Sequence, residues 1–336
     1  CQKLINKEDY TAVPGLIKKI EKGKYLINHP QRIHDLNLLP LPARHLVDME
    51  GYFKIGAFHS AKSKSKRVLS VMCSRGCPEK CTFCSTPGMW GQNTRWRTTK
   101  HIMEEINKDV RKYNIGEIQF EDDTITVNKK NLFSLCEELE KVGLPWCTPN
   151  GTKVNYHFNK QEEMYKRMAG SGCYQITLAC ESGSQRVLDN IINKRLPIET
   201  IYPSIENAKK AGMLVHTFWI IGYPGETYEE IQQTIDFAMK SGADSFSFAI
   251  LSPLPGTPIY RQVIKENLWW KGRSLENLLY RSSLVKVDGF NGPEEFEKFV
   301  NETNLKANLL IKQRDAKRFE LKYGSNVSEN ELLKQT

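Results

Sequence analysis

The sequence predicts an α/β fold, a partial barrel of six βα units, and three observations point to it. Short apolar, β-prone runs alternate with helical periods from residue 68 to residue 260. Turn-forming residues separate them, so each strand–helix–strand unit reads as a parallel crossover. The 336 residues are 40% hydrophobic and 26% charged, the balance of a folded globular chain rather than a disordered or fibrous one. Six units fall short of a closed eightfold barrel.

Taken in order, residues 1–66 carry turn and extended signals with little helical period: Pro14-Gly15, Asn28-His29-Pro30 and Leu39-Pro40-Leu41-Pro42. His29, His34, His45 and His59 read there as surface or turn histidines. Strands are expected at 68–72, 117–120, 146–148, 175–179, 215–221 and 245–251. Helices are expected at 100–113, 131–142, 161–169, 185–192, 199–210 and 228–240. Beyond residue 260, Trp269-Trp270 and the spacing of Phe296, Phe299 and Val300 indicate a helical appendage packed over the barrel. Three parts follow: 1–66 as a connector, 67–260 as the barrel and 261–336 as a helical extension.

Charge and cysteine usage narrow the function classes. Lys and Arg number 48 against 39 Asp and Glu, a net charge of +9. That suits an anionic substrate, but the basic residues are spread along the chain. The densest groups, Lys62, Lys64, Lys66 and Arg67 and then 312–322, read as a solvated loop and helix face, so a nucleic-acid partner is not expected. No apolar run reaches the ~18 residues of a membrane span. The chain opens Cys1-Gln2-Lys3-Leu4, which reads as a fragment or processed chain without an export leader. Nine cysteines, an odd number in a chain of this length, point to a reducing, cytoplasmic compartment.

Barrel chemistry collects at the C-terminal ends of strands. After the first strand stands Cys73-Ser74-Arg75-Gly76-Cys77-Pro78-Glu79-Lys80-Cys81-Thr82-Phe83-Cys84, in which Cys77, Cys81 and Cys84 form C-x3-C-x2-C. Three thiolates on one loop suit an iron–sulfur cubane with one iron left open. Structural zinc would need a fourth ligand; Cys73 is the nearest candidate, placed at the strand end with its side chain toward the barrel wall. Cys1, Cys136, Cys147, Cys173 and Cys180 lack mutual ligand spacing and read as small buried residues.

This run resembles the radical S-adenosylmethionine (radical SAM) superfamily, and its Ser-Arg-Gly-Cys-Pro lead-in resembles the cobalamin-binding branch and the related methylthiotransferases. The resemblance implies a [4Fe–4S] cluster on Cys77, Cys81 and Cys84, with SAM chelating the open iron and cleaved reductively to a 5′-deoxyadenosyl radical. It implies that Phe83 lies beside the adenine. Glu79 stands where the family commonly has an aromatic residue, and Cys73 where it commonly has Thr.

The later strand ends repeat the likeness. Glu121 and Asp122 stand where the family places polar groups near the SAM amino group, and carboxylates suit an ammonium there. The alternative account of this stretch is a capped turn, because Asp often starts a loop. Cys180-Glu181-Ser182-Gly183-Ser184 resembles the family's Glu-Ser-Gly loop, in which Glu181 and Ser182 would meet the ribose hydroxyls or the methionyl end; Ser184 equally caps the next helix. Gly222-Tyr223-Pro224-Gly225-Glu226-Thr227 resembles the branch's Pro-Gly-Glu-Thr element, and Thr227 with Glu230 also forms a capping box, so it reads as scaffold. Leu254-Pro255-Gly256-Thr257-Pro258 reads likewise.

The likeness spans 67–260. Residues 1–66 resemble the connector behind a cobalamin domain, whose Asp-x-His-x-x-Gly loop is absent from this sequence. The implied enzyme abstracts hydrogen or transfers a methyl group to a small-molecule substrate. Its cofactors are the cluster, SAM and cobalamin from a domain outside this chain; its electrons come from a flavodoxin or ferredoxin. The alternatives are a tRNA methylthiotransferase and a non-catalytic iron–sulfur carrier or sensor. No catalytic side chain is assigned by the sequence.

Overall fold

The computed structural model describes residues 2–56, 58–60, 62–279 and 281–323. Its centre is a six-stranded parallel sheet whose strands lie side by side in chain order. They are β1 (Val68–Val71), β2 (Glu117–Phe120), β3 (Trp146–Lys153), β4 (Cys173–Glu181), β5 (Leu214–Ile221) and β6 (Ser245–Ile250). The helices between them are α1 (Thr99–Tyr113), α2 (Lys129–Val142), α3 (Gln161–Gly170), α4 (Ile201–Lys210) and α5 (Tyr228–Lys240). Each is amphipathic and buries one stripe against the sheet: Ile102 and Ile106 from α1, Leu132, Leu135 and Leu139 from α2. Side chains on a strand alternate between faces. In β5, Val215, Thr217, Trp219 and Ile221 are buried, whereas the intervening residues, His216 and Phe218 among them, are half-buried on the other face.

Both sheet edges are covered. At β1, Arg67 runs from the strand's start to Glu50 of the preceding helix Met49–Ile55 at 2.7 Å, with its guanidinium 4.4 Å from the Phe53 ring. At β6, the helix α6 (Pro258–Lys265) is followed by the long α7 (Pro293–Tyr323), the appendage expected from the Phe296 spacing. Asn304 of α7 accepts from the Phe248 N–H and donates to the Phe248 carbonyl, 2.9 Å each, so one side chain occupies a free backbone pair of an edge strand. Trp270 donates to Ser283 Oγ at 3.1 Å and Trp269 pairs with Val285, so both tryptophans hold this extension together.

Residues 3–56 are mostly exposed. A hairpin of Ile17–Glu21 and Lys24–Ile27 leaves Ile17, Ile20, Tyr25 and Ile27 in solvent. The chain then turns inward: Ser60 donates to Gln175 Oε1 at 3.0 Å, and the Ser65 N–H meets Glu117 Oε2 at 3.1 Å, closing the base of the half-barrel. His59 is exposed, yet it bonds Glu121 Oε2 at 2.7 Å; this tertiary partner lies 62 residues away in sequence. Among the described residues no helix is long and apolar enough to cross a membrane. Cys136, Cys147, Cys173 and Cys180 are buried free thiols; Cys1 lies outside the described residues.

Candidate functional site

The cysteine loop leaves β1 at the C-terminal end of the sheet. Gly76 makes the turn possible: its φ is +101°, and a Cβ there would stand 2.6 Å from the Asn93 carbonyl oxygen. Cys77 then donates its N–H to the Gly91 carbonyl at 3.3 Å. Thr82 docks the other end, with its N–H on the Ile192 carbonyl at 2.9 Å and its hydroxyl on that of Ile191 at 2.6 Å. Asn193 Nδ2 reaches the Lys80 carbonyl at 3.4 Å. The loop is thus suspended between β1 and the segment following β4.

Cys77, Cys81 and Cys84 are free, half-buried thiols. Burial pushes Cys77 up to about 11 and Cys81 up to about 12, and each also feels the charge of its neighbours in the triplet. Such thiols stay protonated until metal displaces the protons. Among the described residues no three His, Cys, Asp or Glu side chains close on a single point as the ligands of one ion do. Three thiols on one loop suit a cubane, in which each cysteine sulfur takes its own iron. Cys73 stands apart: it is fully buried, and burial holds its thiol well above the ordinary range.

Behind Cys81 lies a buried ion pair. Lys194 Nζ is 2.7 Å from Glu181 Oε1, and both side chains are 7% exposed. Glu181 ends β4 in the left-handed region at φ 68°, and Asn193 and Arg195 flank Lys194 at 56° and 51°. Three non-glycine residues in that region around one contact mark backbone held by its surroundings. The Lys194 ammonium lowers the Cys81 thiol against its burial, and a cation there offsets the charge of three thiolates. The donor set therefore fits an anionic metal–thiolate cluster.

The other expected site residues divide into two groups. Phe83 packs edge-on against Tyr223, ring centroids 5.9 Å apart, beside the thiols. Glu121, on the face of β2 that carries Glu117 and Gln119, is partly exposed and bonded to His59. Asp122 points away from any opening: it accepts the Cys73 and Ser74 N–H groups at 3.0 and 2.5 Å and the Ser74 hydroxyl, which anchors the root of the cysteine loop. Burial pushes its carboxyl up to about 6 against those donors. The Ser182 hydroxyl is fully buried between Thr234 Oγ1 and the Ser184 N–H, 3.1 Å each. Ser184 Oγ meets Glu230 at 2.9 Å and the Val187 N–H, the capping geometry its sequence suggested.

Tyr223 and Glu226 form the wall opposite. The Tyr223 ring is buried, and its hydroxyl has no partner among the described residues. Glu226 Oε2 accepts the Gly222 and Tyr223 N–H groups at 2.7 and 3.0 Å, and Thr227 with Glu230 makes the capping box of α5. Burial pushes the Glu226 carboxyl up to about 7 from an ordinary value of 4.5, against the pull of those two N–H groups. The folded protein binds that proton more tightly than the unfolded chain. Stability from this group is therefore greatest below pH 4.5 and falls as pH rises to about 7, by roughly 3 kcal/mol. Denaturation midpoints measured across pH 4.5–7 should flatten in Glu226→Gln relative to the parent.

Lys194 is the residue beside the cysteines that the sequence reading passed over, and Tyr223 is one it read as scaffold. Lys194 stands in Asn193-Lys194-Arg195, which looks like a solvated loop, and only the left-handed backbone on either side turns it inward. Its sole signal in the sequence was a glutamate thirteen residues earlier at a strand end.

Comparison with known proteins agrees with this geometry. The radical SAM superfamily profile matches residues 71–238, which run from the end of β1 through most of α5. Cytidylyl-2-hydroxyethylphosphonate methyltransferase of Streptomyces wedmorensis is 37% identical over 276 residues, covering 80% of this chain and 51% of that protein. The uncharacterized methyltransferase PH0819 of Pyrococcus horikoshii is 34% identical over 259 residues, covering 76% and 53%. The chain thus spans about half the length of the curated relatives it matches. The cobalamin-dependent S-adenosylmethionine radical enzyme OxsB, solved with aqua-cobalamin and S-adenosylmethionine bound, superposes with a TM-score of 0.66 at 15% identity, covering 98% of this chain and 56% of that one. That likeness concerns the fold. With the profile match spanning half the chain and the three cysteines together on the loop after its first strand, this chain belongs to the radical SAM superfamily.

Proposed function

We propose that the chain is the barrel portion of a cobalamin-dependent radical SAM methyltransferase acting on a small molecule, with electrons from a flavodoxin or ferredoxin. On this reading residues 1–66 are the connector, 67–260 the catalytic barrel and 261–336 its extension. The observation that carries it is the Cys77, Cys81 and Cys84 loop after β1 set against the buried Lys194–Glu181 pair at the end of β4. The methyltransferase names of the two relatives, each over 30% identical, favour methyl transfer over methylthiolation or simple electron carriage.

In this reading the three thiolates hold a [4Fe–4S] cluster, which when bound supplies the electron that cleaves SAM. The chain's own residues then have distinct tasks. Phe83, braced by Tyr223, offers an apolar face to the adenine. Glu121 and Glu181 offer carboxylates to a cationic ligand, Glu181 with one oxygen already on Lys194. Asp122 and Ser182 act behind them, holding the loop roots in place.

The test is anaerobic reconstitution with iron and sulfide, followed by SAM and dithionite and chromatographic quantitation of 5′-deoxyadenosine. The parent should release it, and Cys81→Ala should not. Equal background from both, with a full cluster in the parent, would overturn the enzymatic reading and leave electron transfer. A methyl acceptor should be turned over only once a cobalamin-binding partner domain is supplied.

A further inference from the structure

Glu79 lies inside the cysteine loop, between Cys77 and Cys81, at the position where the family commonly has an aromatic residue. Its side chain is only 14% exposed. Oε2 is 2.8 Å from Nζ of Lys153, itself 11% exposed, and Oε1 accepts the Tyr156 hydroxyl at 2.9 Å. Lys153 is the last residue of β3, and its ammonium also sits 5.6 Å from the Tyr156 ring centroid. One residue of the cysteine loop thus gives its carboxylate to a strand end more than seventy residues away.

We propose that Glu79, gripped by Lys153 and Tyr156, is a positioning residue that fixes the cluster loop on β3 and balances the charge beside the cluster. The inference rests on the cluster reading above. Two physical consequences separate it from ordinary loop packing. A carboxylate near a cluster disfavours reduction, because the added electron is repelled, and a neighbouring ammonium opposes that effect. The pair as built is neutral, so each single neutralising substitution leaves an unbalanced charge of opposite sign.

Reduced cluster is read by EPR at one fixed mediator potential, with dithionite as reductant, so that only assembled clusters are counted. Glu79→Gln should raise the ratio of reduced to oxidised cluster about tenfold, or ~59 mV for a one-electron couple, and Lys153→Met should lower it by a similar factor. The double variant should return to the parental ratio. Release of iron to a chelator gives the second measurement. Glu79→Asp keeps the charge but shortens the reach, so it should leave the ratio unchanged while iron is released several-fold faster. Shifts of the same sign in the two single variants, or none, would overturn the charge role. Parental iron release in Glu79→Asp, Glu79→Gln and Lys153→Met alike would overturn the positioning role. A parent chain that takes up no iron would instead refute the cluster reading itself, so the two failures are distinguishable.

Discussion

Cys77→Ala, Cys81→Ala and Cys84→Ala should each abolish the reduced-cluster EPR signal and cut reconstituted iron from about four per chain to a trace. The effect is expected to be total because each thiolate takes its own iron, and among the described residues no other cysteine stands on this loop as a substitute. Cys73 is the control. Its side chain is fully buried at the root of the loop while its N–H is held by Asp122, so Cys73→Ala should keep nearly all the iron. Loss of the cluster in Cys73→Ala alone would make it a ligand and displace one of the other three. Far-UV circular dichroism on each variant separates ligand loss from unfolding.

Lys194→Met is expected to give the largest loss of stability of any single substitution at the site. It removes one partner of a buried pair and strands the Glu181 carboxylate at 5% exposure, a change that typically costs about 3–5 kcal/mol. The denaturant midpoint of the apoprotein should fall accordingly. Neutralising both partners, as Glu181→Gln with Lys194→Met, should recover part of it, because no unpaired charge then remains buried. Equal stability of Lys194→Met and the parent would mean that Glu181 reaches solvent or takes a proton at no cost. Cluster assembly gives an independent readout: without the ammonium that lowers it, the Cys81 thiol rises further and iron uptake should slow.

Most of the barrel was legible because it rests on local signals. Helix α5 runs over the expected 228–240, and β2 over the expected 117–120, since a capping box marks the start of the one and a short polar–apolar alternation the extent of the other. Strand β3 was expected to stop at residue 148 but continues to Lys153. Pro149, Asn150 and Gly151 look like a turn; the register shift against β4 between Thr148 and Thr152 absorbs them, so the strand goes on past its own breakers.

The helix expected at 185–192 forms over 185–191, but from Val187 to Ile191 it is wound as a π-helix. Its last carbonyls are taken by Thr82 of the cysteine loop, a partner more than a hundred residues away. The same contact leads the chain into the left-handed residues that carry Lys194 inward. A helix propensity, a capping serine or an apolar stripe is a property of a few consecutive residues, and so is a C-x3-C-x2-C spacing. By itself the sequence therefore determined the α/β order of elements, the three candidate ligands and the strand ends where partners stand. Only the tertiary structure decided how the side chains at those ends are used: Asp122 and Ser182 inside the scaffold, Glu181 on Lys194, Glu79 on Lys153 and Tyr156. The physical reason is that a buried charge or hydroxyl must find a partner, and which partner lies within 3 Å depends on strand register and loop path, which join residues far apart in sequence.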